Sequence, residues 1–110
     1  MKEVKRPWGD FKQFVLNKKC TVKILTIKPK QELSLQYHLK RKESWYFLTP
    51  GKVQIDKKLI SVKKGELVEI PKEKPHRIIA GKKEVKVLEI SHGTFSERDE
   101  VRLEDRYGRK

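Results

Sequence analysis

The sequence predicts one small all-β domain, a sandwich or barrel, over residues 1–110. Short apolar runs rich in β-branched and aromatic residues recur along the chain, and 21–27 and 45–48 are the clearest. Segments that contain Gly, Pro, Asn or Asp separate the runs at close spacing, as expected for strands joined by tight turns. No window has the apolar period of an amphipathic helix. A chain of this length has room for one hydrophobic core, so a single domain is expected.

The apolar runs predict nine strands, each bounded by a turn signal. In chain order the predicted strands are 11–16, 20–28, 33–38, 43–49, 52–56, 58–62, 66–71, 76–80 and 85–91. The turns between them are predicted at 17–19, 28–30, 49–51, 56–58, 63–65, 71–75 and 81–83. The final stretch 96–110 is polar, with Val101, Leu103 and Tyr107 as its only apolar anchors. We expect it to form a short helical turn or an ordered tail.

The balance of charge favours anionic partners. The chain carries 28 Lys and Arg residues against 15 Asp and Glu, a formal net charge of +13. Nucleic acid is the first anion to consider. However, the lysines are spread over the whole length, with no basic stretch interleaved with aromatic residues and no arm-like tail. A Lys/Glu-rich solvated surface accounts for this pattern better, so no nucleic-acid partner is predicted. The same positive field would favour a phosphorylated small molecule.

Cysteine content and hydropathy predict a cytoplasmic protein. The one cysteine, Cys20, cannot form an internal disulfide. It opens an apolar run, which favours a small buried or half-buried side chain over a reactive thiol. No apolar run approaches the roughly 20 residues that span a bilayer. The N-terminus has no apolar signal segment. We therefore expect no membrane partner.

Four residues have the types and positions of metal ligands. Gln36 and His38 are two apart, so on a strand they project from the same face. Glu43 starts the next predicted strand and can pair back across the intervening turn, whereas His76 starts a later strand after a Pro-bounded loop. Amide oxygen, imidazole and carboxylate ligands that converge from three strands would suit one divalent transition metal, with Zn²⁺, Mn²⁺, Fe²⁺, Co²⁺ and Ni²⁺ as the candidates.

The spacing of these four residues resembles the paired motifs of the cupin superfamily. The two motifs are, in order, Gln36-x-His38-x4-Glu43-x7-Gly51 and Gly65-x5-Pro71-x4-His76. In cupins the four ligands line the inside of a small double-stranded β-helix, a jelly-roll-like barrel, and the resemblance implies this fold here. Gln36 takes the place of the first cupin histidine and keeps an oxygen that can coordinate. Glu73 takes the place of a motif glycine in a turn.

Five segments in order along nearly the whole chain sharpen the resemblance. They are Arg6-Pro7-Trp8-Gly9-x-Phe11, Leu33-Ser34-Leu35-Gln36-x-His38, Arg41-x-Glu43-x-Trp45, Ile70-Pro71 followed by His76-Arg77, and Arg102-x-x-Asp105-x-Tyr107-Gly108-Arg109. Together they resemble the C-terminal domain of type II mannose-6-phosphate isomerases, which is commonly fused to mannose-1-phosphate guanylyltransferase and also exists alone. No guanylyltransferase domain is expected within these 110 residues, because they contain no Gly-rich nucleotide loop.

The resemblance implies a metal-dependent isomerase that interconverts mannose 6-phosphate and fructose 6-phosphate through a cis-enediol. The metal would act as a Lewis acid on the sugar oxygens. The arginines Arg41, Arg77 and Arg109 match family arginines and are the candidates for the substrate phosphate, which a guanidinium fork binds bidentately. The base that takes the C2 proton stays open between Lys23, Lys40 and a metal-bound water.

Two departures from the family pattern favour an alternative function. Lys40 and Ser44 stand where the family has histidines. The alternative is a non-catalytic metal- or sugar-binding cupin that acts as a regulatory or accessory module, since one fold hosts many functions. His92 has no counterpart in the family pattern, and we expect it to be a surface residue.

We also predict a homodimer. A barrel this small leaves an edge strand and apolar surface that 110 residues hardly cover. The segment 6–16, with Trp8 and Phe11, has little to bury against alone, but its backbone and aromatic groups would be satisfied at the edge of a partner's sheet. In the competing picture Trp8 and Phe11 fold back onto their own barrel and the protein is a monomer.

Overall fold

A computed structural model describes residues 1–108, and these residues form strands, turns and loops without a helix. The strands are β1 Lys2–Arg6, β2 Gly9–Gln13, β3 Cys20–Ile27, β4 Leu35–Tyr37, β5 Glu43–Phe47, β6 Gly51–Ile55, β7 Lys58–Val62, β8 Leu67–Ile70, β9 His76–Ile79, β10 Val85–His92 and β11 Val101–Glu104. They pair antiparallel in three sheets, ordered β1-β2, β3-β10-β5-β8 and β11-β4-β9-β6-β7. The all-β prediction is confirmed. Within residues 1–108 no helix is long and apolar enough to cross a membrane.

The two larger sheets share one hydrophobic core. Along each strand, inward side chains alternate with outward ones, because successive residues point to opposite faces. In β5, for example, Trp45 and Phe47 point inward and are fully buried. The buried apolar cluster consists of Ile27, Trp45, Phe47, Val53, Val62, Ile70, Ile78, Ala80, Val85 and Val87. Removing these side chains from water is the main favourable term that holds the two sheets together.

The eight strands predicted between residues 20 and 91 are confirmed, with ends that shift by at most two residues. Their runs bury apolar side chains on at least one face, so the sequence carries a clear signal. Cys20 is half-buried at the start of β3, as expected. The predicted strand 11–16 was misplaced, because the strand there is β2 and it pairs with β1, which was not predicted. β1 is almost entirely polar, and it is held by its backbone pairing with β2 rather than by burial.

The C-terminal stretch differs from the helical turn or ordered tail that the sequence suggested. Residues 101–104 form β11, which pairs with β4 and places Arg102 opposite Gln36. Pairing satisfies backbone groups that an unpaired tail would leave to water. The correction matters for the site, because β11 and the segment before it lie beside the barrel opening.

The packing around Gly51 predicts a strong effect of a single added methyl group. A Cβ at this position would lie 2.9 Å from Val85 Cγ1 and 3.0 Å from Phe47 Cε2, both in the buried core. Overpacking of this kind costs about 1–3 kcal/mol. We therefore expect Gly51→Ala to lower the melting temperature by several degrees, measured by circular dichroism. Gly81→Ala is the matched control, because a Cβ there has no atom within 4 Å. Equal melting temperatures of the two variants would contradict the packing argument.

Candidate metal centre

Three side chains predicted as metal ligands meet inside the barrel. His38 follows directly after β4, Glu43 is the first residue of β5, and His76 is the first residue of β9. His38 Nε2 lies 3.6 Å from Glu43 Oε1, and His76 Nε2 lies 3.4 Å from the same oxygen. One ligand atom from each residue lies within 4.8 Å of the other two, and all three residues are buried. The structure thus brings together two imidazoles and one carboxylate.

Backbone carbonyl groups orient both imidazole rings. His38 Nδ1 is 2.6 Å from the carbonyl oxygen of Asp99, and His76 Nδ1 is 2.6 Å from that of Lys74. A carbonyl oxygen can only accept, so each Nδ1 carries a proton and each neutral ring keeps its lone pair on Nε2. Both Nε2 atoms face Glu43. This is the arrangement in which histidine presents a metal-binding nitrogen while a neighbouring acceptor fixes its ring.

Two buried atoms of the centre have no hydrogen-bond partner among the described residues. They are Glu43 Oε1 and His76 Nε2, and unpaired buried polar atoms of this kind are costly. The other oxygen of Glu43 is well used, because Oε2 accepts hydrogen bonds from Arg41 Nε and Ser91 Oγ, each at 3.2 Å. Coordination of a cation by Oε1 and the two Nε2 atoms would remove the cost. The donor set therefore fits a divalent transition metal.

The electrostatics of the centre keep Glu43 ionised. Burial alone would raise its pKa, but the nearby imidazoles of His38 and His76 outweigh burial and hold the pKa well below the usual range. Burial would likewise lower the pKa of His38, but Glu43 and the Asp99 carbonyl outweigh burial and raise it. The centre thus favours positive charge next to the carboxylate, which is the charge that a metal ion supplies.

Gln36, the fourth predicted ligand, lies on the same inner face. It is paired directly with His76 across the β4–β9 ladder. Its Oε1 accepts a 2.8 Å hydrogen bond from Ser34 Oγ. An amide oxygen has a second lone pair that could still coordinate, so ligation by Gln36 stays a prediction.

A pocket of about 200 Å³ opens onto the centre, and both Gln36 and Glu43 line it. The basic side chains that line it are Lys23, Arg41 and Arg102, and the acidic ones are Glu43, Glu89, Glu97 and Glu100. The pocket therefore adjoins the candidate metal site through Gln36 and Glu43, and it contains cations that could hold an anionic substrate group.

Arg41 is the one predicted phosphate ligand that the described structure brings to this pocket. Its side chain is buried, and besides Glu43 it donates from Nη1 to the carbonyl oxygen of Ser96 at 2.9 Å. The guanidinium carbon lies 4.6 Å from the centre of the Phe95 ring. Arg41 is thus held in place beside the His38–Glu43–His76 site, and some of its N–H donors are already used in hydrogen bonds.

Arg77 lies on the other side of β9 from His76. It pairs with Gln54 in the ladder and donates to Gln54 Oε1 at 2.8 Å. Its guanidinium also pairs with Glu104 at 3.2 Å and Glu32 at 3.6 Å. Phosphate binding by Arg77 stays a prediction that this geometry does not favour, since adjacent residues of a strand face opposite ways. Arg109, the third predicted phosphate ligand, lies outside the described residues.

Ser44 and Lys40, which stand where the family has histidines, are not among the residues that converge at the candidate metal site. Ser44 is buried on the outer face of β5, where its hydroxyl donates to Glu69 Oε2 at 2.8 Å. His92 Nε2 lies 2.7 Å from the same hydroxyl, and because the proton of Ser44 is used, His92 is the donor. The expectation that His92 is a surface residue is corrected, since it is half-buried at the end of β10. Lys40 is exposed, and its backbone N–H donates to the Asp99 carboxylate.

Sequence reasoning missed three residues of the site, all contributed by the last strands and the segment between them. Asp99 fixes His38 through its carbonyl and accepts from the backbone N–H of Leu39 at 2.8 Å through its carboxylate. Glu89 is a second buried carboxylate, and Arg102 lines the pocket in an ion pair with Glu100 at 2.8 Å. For Arg102 a signal was available, because it opens the last family-like segment. Asp99 and Glu89 carry no local signal.

Comparison with known proteins gives a family match over almost the whole chain. The family model described as mannose-6-phosphate isomerase C-terminal matches residues 1–105. The alginate biosynthesis protein AlgA of Pseudomonas aeruginosa is 34% identical over 110 residues, which covers 97% of this chain and 23% of that protein. A mannose-1-phosphate guanylyltransferase of Escherichia coli is 35% identical over 111 residues, which covers 98% of this chain and 23% of that protein. The chain thus spans about a quarter of the length of these relatives.

A solved cupin-2 domain, Rru_A2000 from Rhodospirillum rubrum, has the same fold. The superposition has a TM-score of 0.65 at 18% identity, covering 79% of this chain and 64% of the other. The prediction of a cupin barrel is confirmed.

The geometry of the centre predicts binding of one metal ion. Protein purified without chelators should contain close to one equivalent of a divalent transition metal by elemental analysis, and His76→Ala should lose most of it because one of three converging nitrogen and oxygen ligands is removed. His92→Ala is the matched control, since this imidazole points to the outer face of the sheet. A wild type that stays metal-free after incubation with Zn²⁺, Mn²⁺, Co²⁺, Ni²⁺ and, anaerobically, Fe²⁺ would refute the ligand assignment.

Proposed function

Because the chain belongs to the mannose-6-phosphate isomerase C-terminal family, we propose that it is a metal-dependent aldose–ketose isomerase that interconverts mannose 6-phosphate and fructose 6-phosphate. One observation carries the proposal: the buried His38–Glu43–His76 cluster adjoins, through Glu43, a pocket that also contains basic side chains. An isomerase that acts on a sugar phosphate needs both features: a metal site near the carbons that react, and basic side chains near the phosphate.

The proposed metal site consists of His38, Glu43 and His76, with Gln36 as a fourth ligand. When bound, a divalent Zn, Mn, Fe, Co or Ni ion would supply a Lewis acid for the sugar's carbonyl and hydroxyl oxygens. The protein's own contribution is to fix the ligands. Arg41 and Ser91 hold one oxygen of Glu43, which leaves the other oxygen directed at the two imidazoles.

The substrate phosphate is proposed to bind at the basic side of the pocket. Of the three arginines that the sequence predicted as phosphate ligands, Arg41 lines the pocket. Lys23 and Arg102 line it as well. An arginine can present two parallel N–H donors to phosphate oxygens, which gives orientation as well as affinity. The net charge of +13 would also draw an anionic substrate toward the protein. A phosphorylated sugar as substrate and the cytoplasm as location both belong to this proposal.

The alternative is a metal- or sugar-binding accessory module without turnover. The observation that favoured it is that Lys40 and Ser44 stand where the family has histidines. Ser44 faces the outer side of β5, where it is bonded to Glu69, and Lys40 is exposed. Neither replacement removes a group from the metal cluster, so this support is weakened. The chain covers only 23% of the length of each of these relatives, so the alternative also needs an experimental test.

A coupled assay for fructose 6-phosphate formed from mannose 6-phosphate, run with each of the five metals, tests the proposal. We expect metal-dependent turnover that falls at least about 100-fold in Glu43→Gln and Arg41→Ala, because these changes remove a ligand and an anion-binding group. Lys40→His serves as the control and should stay close to wild type. If the wild type binds a metal but turns over no substrate with any of them, the accessory module replaces the isomerase.

The proposed isomerase is also proposed to work as a homodimer. Trp8 lies at the tip of the β1-β2 hairpin and is 73% exposed, so it does not fold back onto its own barrel. On β3, an edge strand of its sheet, Val22 and Ile24 are 54% and 62% exposed. A second copy that covered the hairpin and this edge would bury these side chains, and a two-fold pair would stop further growth.

Light scattering of the intact chain, of a chain lacking residues 1–12 and of Ile24→Lys tests this state. We expect a dimer for the intact chain, whereas the truncated chain and Ile24→Lys should shift to monomer because apolar contact area is lost or a charge is buried. Lys58→Glu, on an exposed part of the other sheet, is a control for charge alone. A monomeric intact chain at roughly tens of micromolar, where weak association is measurable, would exclude the dimer.

A further inference from the structure

The proposed isomerisation needs a group that removes a proton from C2 and delivers one to C1. Lys23 and Lys40 were the residues considered from sequence, and neither is well placed. Lys40 is exposed. Lys23 lines the pocket, but its Nζ lies 4.1 Å from the centre of the Phe95 ring and 3.6 Å from Glu97 Oε1. The ammonium group of Lys23 is therefore already engaged by an aromatic face and by a carboxylate.

Glu89 is a second buried carboxylate in the same pocket. It is 9% exposed and lies in the middle of β10, opposite Lys23 on β3 and Trp45 on β5. Two residues further on, Ser91 lies opposite Glu43, so the side chains of Glu89 and Glu43 are on the same inner face. Ser91 Oγ lies 3.2 Å from Glu43 Oε2 and 3.4 Å from Glu89 Oε1. The Ser91 hydroxyl therefore lies between Glu89 and Glu43 of the candidate metal site.

The position of Glu89 favours a role in proton transfer. Burial, together with the negative charge of Glu43, raises the pKa of Glu89, although Lys23, Arg41 and His38 oppose the shift. A carboxylate with a raised pKa binds a proton more readily, as a general base must. Glu43 already has a place in the candidate metal site, so Glu89 is the other buried carboxylate of the pocket that can exchange a proton with the substrate.

We infer that Glu89 is the catalytic base of the isomerisation, an inference that rests on the proposed function. Its carboxylate takes the proton from C2 of the aldose. The C–H electron pair then forms the C1=C2 double bond of the enediol, and the carbonyl π pair moves to O1. Protonated Glu89 gives its proton to C1, the hydroxyl proton of O2 passes to O1, and O2 becomes the ketone oxygen. Atoms and charge balance, no oxidant or reductant is consumed, and the carboxylate is regenerated.

The first test is Glu89→Gln, which keeps the shape of the side chain and removes the base. We expect kcat to fall by about 10²–10⁴-fold, the usual contribution of a positioned general base. The KM, the metal content by elemental analysis and substrate binding by calorimetry should stay close to wild type, because the lost group acts in the transition state. In D₂O the wild type should place deuterium at C1 of fructose 6-phosphate, and the variant should not do so at a measurable rate.

A second variant separates a base from a structural carboxylate. Glu89→Ala opens space beside Ser91, and added formate should restore part of its turnover, because a small carboxylate can take the place of the missing base. Glu84→Gln removes the same charge from an exposed site that does not line the pocket, and it should keep activity near wild type without a response to formate. A merely structural Glu89 would give variants that formate does not rescue.

The outcomes separate this inference from the proposed function. If the wild type turns over substrate and Glu89→Gln loses less than tenfold in kcat, or if formate leaves Glu89→Ala unchanged, the inference is wrong and the isomerase stands. If the metal-loaded wild type has no turnover, both are wrong. Loss of kcat with retained metal and substrate binding, together with formate rescue, supports Glu89 as the base.

Discussion

Glu43 brings a carboxylate into the interior of the barrel, where an ionised group is costly unless it is paired and hydrogen-bonded. Its partners come from both sides of the barrel: Ser91 belongs to the sheet of β5 itself, whereas His76 begins β9 in the facing sheet and His38 directly follows β4 of that sheet. Each partner reaches Glu43 only in one register, since a shift by one residue would turn the side chain to the other face. Pairing the buried charge of Glu43 therefore requires one strand register, and that register also sets the geometry of the site.

The alternation of inward and outward side chains along a strand explains which strands could be predicted from the sequence. Strands that bury apolar residues, such as β3, β5 and β10, were predicted because their signal is local. The β1-β2 hairpin was not, because it is polar and held by its own backbone pairing. The motif grouped His38, Glu43 and His76, whose side chains meet in the structure, but it could not tell that Arg77, next to His76 in the chain, faces the opposite side of the sheet. Asp99 lies 61 residues from His38, and no pattern of short range could connect them.

The pocket and the surface of the protein carry charge in different ways. The surface gives a net charge of +13 that is spread over the chain, whereas the pocket combines acidic and basic side chains within a small volume. Spread charge attracts any anion and selects none, whereas fixed side chains next to a rigid ligand cluster can orient one. The specificity of the protein should therefore depend on the few charges that line the pocket.

Asp99 ties the loop after β4 to the C-terminal segment, and this has a consequence for biosynthesis. During translation His38, Glu43 and His76 leave the ribosome before Asp99, which holds the His38 ring and the backbone of the loop. Contacts between residues so far apart in sequence form late, because the chain between them must first be ordered. The nascent protein would therefore pass through a stage in which the barrel has begun to form but the His38 ring is still free to rotate. Under the proposed metal site, capture of an ion would therefore follow the closing of the C-terminal segment.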